Sequence, residues 1–307
     1  MQIGALILPD PVIALAPLAG YGDVAFRKLC REYGASLTVT EMVSAKGLVY
    51  GNEKTETLLT PAPNETPSCV QLFGSDPDCF YKAVSLPALD RFDMIDINMG
   101  CPVPKITKCG EGSALMRDPG RAADIVRACV AAAKGRPVTV KHRLGIDDDH
   151  IVAPAFAARM QEAGAAAVTV HGRTAAQGYR GQADWQTIAC VARETSIPVL
   201  GNGDVTSRRD ALTKMQTYGC AGVAIGRGAL GRPDVFADER APLSSLLEKH
   251  LAYALAYFPE HVAVRTMRKH FCRYLAGVTG TKALRAALST AQSAAHVREL
   301  LQQLPPL

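Results

Sequence analysis

Short apolar runs recur along the first three quarters of the chain, and segments with helical spacing of apolar residues separate most of them. Eight of the runs are typical of buried strands: Ile13–Ala16, Leu37–Val43, Cys69–Phe73, Met94–Asn98, Val138–Leu144, Ala167–Gly172, Pro198–Asn202 and Gly222–Gly226. Five intervening segments are typical of helices: Phe26–Tyr33, Arg121–Ala133, Ala153–Ala163, Trp185–Thr195 and Arg208–Tyr218. Eight strands that alternate with helices over about 240 residues predict a (β/α)8 barrel. A doubly wound open sheet is the alternative, but no GxGxxG follows the first strand.

The pattern changes after Pro233, where strand signals stop. Three segments then show helical spacing, namely Leu246–Tyr257, His261–Leu275 and Thr281–Gln303. The sequence therefore predicts a barrel over residues 1–240 and a small helical domain over residues 241–307. The amino-terminal segment is apolar but is broken by Pro9 and Pro11, so we expect the first structural element there and not a signal peptide.

Composition is that of a soluble protein with a large core, since 48% of the 307 residues are hydrophobic and no apolar run reaches the length of a membrane span. The nine cysteines are odd in number and form no CxxC pair. This count argues against a disulfide framework or a zinc site, and it favours the reducing cytoplasm.

Charge is concentrated near the carboxyl end of the chain. From residue 241 onward there are eight basic residues and three acidic ones, so this segment accounts for the whole net charge of +5. Such an asymmetry indicates a polyanionic partner, although a solvated helix face would show the same pattern.

Polar residues stand at the ends of the predicted strands, where a barrel of this type has its active site. They are Glu41, Gln71, Asp96, Asn98, Lys141, Arg143, His171, Arg173, Asn202 and Asp204. Each one alone is explained by an ion pair or a structural hydrogen bond. Because buried charge is costly unless it is paired or bound, so many of them together favour a polar ligand above the rim.

Two glycine-containing loops follow the last two strands, namely Gly201-Asn202-Gly203-Asp204 and Gly226-Arg227-Gly228. Glycine lets backbone N–H groups approach an anion, and these two loops often bind phosphate in such barrels. They predict a phosphorylated cofactor, with tight βα turns as the plain alternative. The sequence contains neither an HExxH nor a GxSxG motif, and no ligand set for a metal is apparent.

One cysteine has an unusual setting. Cys101 lies in the segment NMGCPVPK, between a glycine and a proline, directly after a predicted buried strand. A thiol gains little from packing at such a place, so a role as nucleophile, metal ligand or proton donor has to be considered.

These segments together resemble the tRNA-dihydrouridine synthases. The likeness is found in APLAGYGDVAFRKLCREYGA (16–35), TEMVSAKGL (40–48), VQLFGSDP (70–77), DINMGCPVPKITKCGEGSALM (96–116), VTVKHRLG (138–145), VHGRTAAQGYRG (170–181), IPVLGNGDV (197–205) and IGRGALGRP (225–233). It continues into the tail at 262–288, which is most similar to the bacterial B-type subfamily, while parts of the barrel also suit the C-type.

The resemblance implies an enzyme that uses FMN, reduced by NADPH, to saturate the C5–C6 double bond of a uridine in the D-loop of tRNA. The residues that would bind FMN are Pro17, Leu18, Ala19, Gln71, Lys141, His171, Asn202, Gly203, Asp204, Gly226 and Arg227. Cys101 would be the proton donor to C5, since a cysteine thiol is mostly protonated at neutral pH. The residues that would contact tRNA are Asn98, Arg143, Arg173, Arg265, Arg268, Lys269, Arg273, Lys282 and Arg285. No metal is expected, and a monomer is favoured.

Three positions depart from the family pattern. Leu18 stands where methionine is common, His142 occupies a usually apolar or small site, and Gly201 replaces a frequent alanine. Leucine is close to methionine in volume. Strand alternation predicts that His142 points away from the pocket, and we expect Gly201 to loosen the phosphate loop slightly.

Two other functions fit parts of the sequence. An FMN-dependent barrel enzyme that acts on a free pyrimidine would share the fold and the cofactor, but it needs no basic tail. A tRNA-binding protein with an inactive barrel would share the tail, but it needs neither Cys101, Lys141 nor His171.

Overall fold

The computed structural model describes residues 1–304 and all of their side chains except that of Lys54. Eight parallel strands close a barrel: β3 (Val12–Leu15), β4 (Leu37–Ser44), β5 (Ser68–Phe73), β6 (Met94–Met99), β7 (Val138–Arg143), β8 (Ala167–His171), β9 (Val199–Asn202) and β10 (Gly222–Ile225). The last strand, β10, pairs with the first, β3, with Ala224 opposite Ala14. The predicted (β/α)8 barrel is confirmed, and every predicted strand agrees with the observed one to within a residue at either end.

A short hairpin covers the amino-terminal end of the barrel. It is formed by β1 (Gln2–Ile3) and β2 (Leu6–Ile7), which pair antiparallel. Ile3 and Leu8 are buried with inward-facing barrel residues such as Leu37 and Leu200. This apolar plug leaves only the carboxyl ends of the strands available for a polar site.

Within residues 1–304, nine α-helices surround the barrel or lie in its loops. They are α1 (Val24–Glu32), α2 (Ala45–Val49), α3 (Glu53–Glu56), α4 (Pro77–Val84), α5 (Pro104–Thr107), α6 (Pro119–Ala132), α7 (Ala153–Glu162), α8 (Trp185–Glu194) and α9 (Arg208–Tyr218). Helix α4 was not among the predicted helices. Its start signal is present in the sequence, because Asp76 caps the helix and Pro77 occupies its first turn.

Between the barrel and residue 304, the chain forms four further α-helices: α10 (Leu243–Tyr257), α11 (Glu260–Tyr274), α12 (Lys282–Thr290) and α13 (Ala294–Leu301). They share a separate apolar core, which includes Leu247, Met267 and Val297 and also Ala25 of α1. This second core supports the proposed division near residue 240.

The single helix predicted over Thr281–Gln303 is wrong, because the segment forms two helices. A new helix begins at Ser293, because its hydroxyl accepts a hydrogen bond from the N–H of His296 and caps α13. The carbonyl of Ala291 accepts hydrogen bonds from the guanidinium of Arg268 at 3.0 and 2.7 Å. The apolar spacing runs on across this break, so periodicity alone does not reveal it.

The barrel and the helical unit meet around two buried histidines, His250 of α10 and His270 of α11. Their ring centroids are 4.4 Å apart, and His250 Nδ1 is 3.0 Å from the hydroxyl of Tyr274. His270 also faces Phe26 of α1 and lies 3.8 Å from the carboxylate of Asp23, the residue that caps α1. Burial, followed by the charge of His270, lowers the pKa of His250 well below its usual value.

This interface predicts a loss of stability in acid. His250 stays neutral in the folded protein but takes up a proton on unfolding, so stability falls as pH drops below the unfolded pKa of about 6.5. Between about pH 7.5 and about pH 5.5, the free energy of unfolding should fall in both proteins. We expect this fall to be about 1 kcal/mol smaller in His250→Gln than in wild type. Urea unfolding at the two pH values measures this. His261→Gln, an exposed histidine on α11, should lose as much as wild type, and equal losses in all three proteins would contradict the prediction.

Candidate active site

The loop after β6 holds Cys101 in a defined position. Asn98 Oδ1 accepts hydrogen bonds from the N–H groups of Gly100 and Cys101, at 3.2 and 2.9 Å. The carbonyl of Cys101 accepts one from the N–H of Ser113 at 3.0 Å. Gly112 has φ +61°, and a Cβ there would lie 2.6 Å from the carbonyl oxygen of Cys101. The loop therefore fixes a half-buried thiol directly beyond the end of a barrel strand.

Behind this loop, a row of hydrogen bonds crosses three strands. Asn98 Nδ2 donates to Gln71 Oε1 at 2.9 Å, and Gln71 Nε2 donates to Asp96 Oδ2 at 2.7 Å. The hydroxyl of Thr139 donates to Asp96 Oδ1 at 2.6 Å. Gln71, Asp96 and Thr139 are register neighbours on β5, β6 and β7, so strand pairing brings them together. We call these four residues the amide row.

Lys141 of β7 stands opposite Asn98 of β6 in the barrel. Burial, and then the charge of Arg143, lowers its pKa to about 8, while Asp96 and Cys101 act in the opposite direction. Burial raises the pKa of Asp96, although the hydrogen bonds from Thr139 and Gln71 and the charge of Lys141 oppose the increase. Lys141 thus supplies a positive charge inside the barrel next to the row that supports Cys101.

The rim of the barrel is strongly electropositive around His171, at the end of β8. Burial lowers the pKa of His171 to about 2, and the charges of four residues contribute: Lys141, Arg143, Arg173 and Arg227. A neutral imidazole among four cations indicates a site that attracts an anion.

Arg173 and Asp204 form the central ion pair of this rim. Arg173 Nη2 lies 2.6 Å from Asp204 Oδ2, and the arginine is only 1% exposed. Arg227 approaches the same carboxylate at 3.3 Å. Burial acts to raise the pKa of Asp204, but the hydrogen bonds from Arg173 and the Ala183 N–H, with both cationic charges, outweigh it and lower the pKa. Arg173 Nη1 is buried without a partner among residues 1–304, which indicates a missing oxygen ligand.

Arg143 is hydrogen-bonded to the rim loops and does not extend into solvent. Its guanidinium donates to the carbonyls of Gly100, Thr174 and Gly178 at 2.8 to 2.9 Å. Arg173 likewise donates to the carbonyls of Arg180 and Gly181. Sequence reasoning assigned both arginines to tRNA contact. Their hydrogen bonds instead favour a role in holding the rim loops, and direct tRNA contact stays a prediction for both.

The loop after β9 is supported from below by Trp185 of α8. A Cβ at Gly201 would lie 2.3 Å from Cζ3 of that ring, and the indole Nε1 donates to the carbonyl of Gly203 at 3.1 Å. Gly201 therefore makes room for a ring that holds the loop, which is the opposite of the loosening expected from the sequence. Asn202 Nδ2 donates to the carbonyl of Ala224, and Gly203 has φ +136° with Ala183 too close for any added Cβ.

The remaining predicted cofactor residues lie on the loops after β3 and β10. Pro17 and Leu18 are half-buried and Ala19 is exposed. A Cβ at Gly226 would be 3.8 Å from Leu18, so the two loops adjoin each other. The carboxylate of Glu41 accepts a hydrogen bond from the N–H of Gly20, and burial raises its pKa. This contact fixes the end of the first loop against β4.

His142 lies outside this site, as strand alternation predicts. It is buried on the helix side of β7, with its ring 5.2 Å from that of Phe156 in α7. Its Nδ1 is 2.8 Å from the carbonyl oxygen of Arg143, and burial lowers its pKa to about 4.

A basic stripe on α11 leads to the barrel rim. It consists of Arg265, Lys269 and Arg273, which are spaced by four residues and so share one face. Lys269 and Arg273 lie 5.4 and 5.7 Å from the ring centroid of Tyr21, in the loop that follows β3. Arg268 points elsewhere and bonds to Ala291 and Gln292. Lys282 is exposed and Arg285 half-buried on α12.

Sequence reasoning missed several residues that shape the site. Trp185, Thr139, Gly112, Tyr21 and Tyr179 had no assigned role. Tyr179 is 59% exposed, with its ring 4.4 Å from the guanidinium carbon of Arg227. The sequence pattern that could have pointed to Tyr179 is an aromatic residue in a glycine-rich loop, directly after a strand that ends in histidine.

These features define the class of protein. It is a (β/α)8-barrel protein with a half-buried thiol at an anion-attracting rim. Within residues 1–304, no group of three His, Cys, Asp or Glu side chains is arranged to hold a metal ion. The helices within that range are too short or too polar to cross a membrane.

Comparison with known sequences identifies the family. The description "Dihydrouridine synthase (Dus)" belongs to the family model that matches residues 14–305. A probable tRNA-dihydrouridine synthase of Mycobacterium tuberculosis is 42% identical over 99% of this chain and 84% of its own. The tRNA-dihydrouridine synthase B of Pseudomonas aeruginosa is 37% identical over 95% and 92%. The chain belongs to the dihydrouridine synthase family.

Solved structures agree on the fold. An old yellow enzyme homologue from Zymomonas mobilis has a TM-score of 0.54 at 13% identity, covering 76% of this chain and 89% of its own. The old yellow enzyme from Trypanosoma cruzi has a TM-score of 0.55 at 11% identity, with the same coverage. At such identities the likeness shows the barrel fold alone.

The contact between Gly201 and Trp185 generates a prediction. We expect Gly201→Ala to lower the free energy of unfolding by about 1–3 kcal/mol, because the added methyl group overlaps the indole ring. In a Trp185→Leu background, the same Gly201→Ala substitution should cost less than it does in wild type, since the smaller side chain leaves space. Denaturant unfolding measures both.

Gly120→Ala is the matched control, because a Cβ there meets only a side-chain oxygen of Asp118 at 3.4 Å. Its stability should stay close to that of wild type. A Gly201→Ala protein as stable as this control would show that the indole ring moves aside freely.

Proposed function

We propose that this protein is a tRNA-dihydrouridine synthase that reduces the C5–C6 double bond of a D-loop uridine, with FMN as cofactor and NADPH as reductant. The observation that carries the proposal is the half-buried thiol of Cys101, fixed beside Lys141 at an electropositive barrel rim. The sequence relatives that match nearly the whole chain, and that are named for this activity, support it.

The rim fits the phosphate of FMN. Arg173 Nη1 is buried and has no partner within residues 1–304, and four cations surround His171 with Asp204 as their nearby countercharge. Gly203 and Gly226 keep the two loops free of Cβ atoms where backbone N–H groups would meet an anion. We therefore assign phosphate binding to Asn202, Gly203, Gly226 and Arg227. Asp204, which the resemblance grouped with them, would instead serve as the countercharge to Arg173 and Arg227. Pro17, Leu18, Ala19, Gln71, Lys141 and His171 would hold the rest of the cofactor.

Several residues of this chain would each have a separate role in the reaction. Bound FMN, reduced by NADPH, supplies the hydride for C6 of the uracil ring. Cys101 Sγ holds the proton that is delivered to C5. The ammonium group of Lys141 offsets the negative charge that develops on the base, and burial strengthens this interaction. Asn98, whose amide is held by Gln71 and by the Cys101 loop, would orient the base.

The basic stripe on α11 would bind the tRNA backbone. Arg265, Lys269 and Arg273 run toward Tyr21 at the rim, so phosphates bound along the stripe would lead the strand to the barrel. Lys282 and Arg285 would extend this surface, whereas tRNA contact by Arg268 would require it to release Ala291 and Gln292. The target uridine must then leave its stack to reach the thiol.

Since all nine cysteines are free and tRNA is the substrate, we place the enzyme in the cytoplasm.

Mapping dihydrouridine in tRNA tests the proposal directly. tRNA that lacks the modification is incubated with the protein, FMN and NADPH, and each D-loop position is then examined. New dihydrouridine at a D-loop position supports the proposal. A yellow protein that oxidises NADPH but modifies no tRNA would indicate a flavoenzyme for a free pyrimidine, and a colourless protein that binds tRNA would indicate a barrel without catalysis.

Replacement of the thiol separates the two half-reactions. We expect Cys101→Ala to keep bound flavin and NADPH oxidation but to lose tRNA reduction by about 100-fold or more, because the general acid is absent. Single-turnover reduction of tRNA by the prereduced protein measures the loss. Cys109→Ala, which removes an exposed thiol eight residues away, is the control and should retain wild-type rates. Equal rates in both variants would remove Cys101 as the proton donor.

Charge reversal on the stripe tests the tRNA surface. We expect Arg273→Glu to raise the KM for tRNA and to reduce the slope of log K against log salt by about one, because a phosphate contact is lost. Its NADPH oxidation should not change. Arg298→Glu, which replaces an exposed arginine on α13 that is not part of the stripe, is the control. If both variants weaken tRNA binding equally, net charge and not the stripe determines binding.

A further inference from the structure

The amide row has a direction, and Asp96 sets it. An ionised carboxylate only accepts hydrogen bonds, and Asp96 receives them from Thr139 and Gln71 on its two oxygens. Gln71 must therefore turn its Nε2 toward Asp96 and its Oε1 toward Asn98. Asn98 in turn presents Nδ2 to Gln71, which leaves Oδ1 for the loop.

The far end of the row is the backbone of the thiol loop. Asn98 Oδ1 accepts from the N–H groups of both Gly100 and Cys101. If the two amides were reversed, Asn98 Nδ2 would face these two N–H groups, and three donors would meet without an acceptor. Because Gln71 and Asp96 are buried and Asn98 is nearly so, water does not readily replace the missing partner.

We propose that Asp96 is a positioning residue, whose negative charge orders the Gln71 and Asn98 amides and thereby holds the backbone of the Cys101 loop. It acts on the thiol loop through the Gln71 and Asn98 side chains, since its own hydrogen bonds come from Thr139 and Gln71. Only its consequence for catalysis rests on the proposed function, in which the same order places the proton donor and presents Asn98 to the base.

A second role of Asp96 has to be separated from this one. Asp96 is also a countercharge to Lys141, so its loss alters Lys141 even if the loop stays in place. Hydrogen exchange of the Gly100 and Cys101 backbone amides distinguishes the two roles, because it responds to their hydrogen bonds and needs no turnover.

The first variant is Asp96→Asn in the flavin-loaded protein. A carboxamide offers a donor on one side and an acceptor on the other, so both orders of the row become possible. We expect exchange of the Gly100 and Cys101 amides to accelerate about fivefold, the change that corresponds to the loss of one hydrogen bond. In tRNA reduction, kcat should fall by about 10- to 100-fold with little change in KM, because the thiol is displaced.

The second variant restores the order with a different residue. In Asp96→Asn combined with Gln71→Glu, the carboxylate introduced at position 71 accepts from Asn98 on one side and from the carboxamide introduced at position 96 on the other. The oxygen of that carboxamide still accepts from Thr139, and Asn98 Oδ1 is again directed at the loop. We expect both amides to exchange at the wild-type rate in the flavin-saturated double variant, whatever its activity. This variant serves alone if Asp96→Asn does not fold.

Asp93→Asn is the matched control. Asp93 accepts hydrogen bonds from the N–H and hydroxyl of Ser68, near the start of β6 and outside the amide row. Exchange at Gly100 and Cys101 should not change in this variant. Unchanged exchange in Asp96→Asn, with tRNA reduction lost, would overturn the ordering role and leave only the countercharge. Fast exchange in the double variant would also overturn it. If the wild-type protein does not reduce tRNA, the proposed function is refuted. The role of Asp96 in ordering the amides is still tested in that case, because hydrogen exchange is measured without turnover.

Discussion

Closure of eight parallel strands forces the charged strand ends of this protein into one small space. Burial, together with the charges of Lys141, Arg143, Arg173 and Arg227, keeps the imidazole of His171 neutral. Four like charges repel each other, and this repulsion has to be offset by oxygens that accept hydrogen bonds from them. The carboxylate of Asp204 and several loop carbonyls bind the three arginines here, so the conformations of the rim loops depend on this electrostatic constraint. Arg173 Nη1, buried and without a partner in the described part of the chain, indicates that an anionic ligand completes the balance.

The thiol loop depends on the same barrel in a different way. The position of Cys101 follows from a row of hydrogen bonds that begins at the carboxylate of Asp96 and ends at the loop backbone. Space is as important as polarity, because Gly112 brings a neighbouring turn close to the Cys101 carbonyl and Gly201 admits the Trp185 ring under the facing loop. The site thus joins two rigid loops whose supports lie in separate strands and helices.

The carboxyl-terminal helices contact the barrel rim through the loop that follows β3. Tyr21 lies against His270 and close to both Lys269 and Arg273, so one residue adjoins the buried interface and the basic stripe. Asp23, two residues further along, caps α1 and faces His270. The orientation of the stripe relative to the rim is therefore built into the first βα loop of the barrel.

Much of this organisation was readable from the sequence, because it depends on local patterns. Apolar runs and helical spacing define the strands and most helices. The Gly-Cys-Pro turn, the glycine loops and the polar strand ends pointed to the residues that the fold brings together. What the sequence did not reveal depends on contacts between distant residues. The resemblance assigned Arg143 and Arg173 to tRNA contact, which stays a prediction, but it did not reveal that strand closure directs their donors to loop carbonyls and to Asp204.

The same reason explains the other differences. The break before Ser293 lies within an uninterrupted apolar pattern, and the space filled by Trp185 is visible only when α8 packs under β9. The direction of the amide row needs the register of β5, β6 and β7 before Asp96 has any relation to Cys101. The sequence by itself determined which chemical groups reach the rim, since strand alternation is local. Only the tertiary structure decided how these groups are paired, since pairing depends on register and closure across the whole barrel.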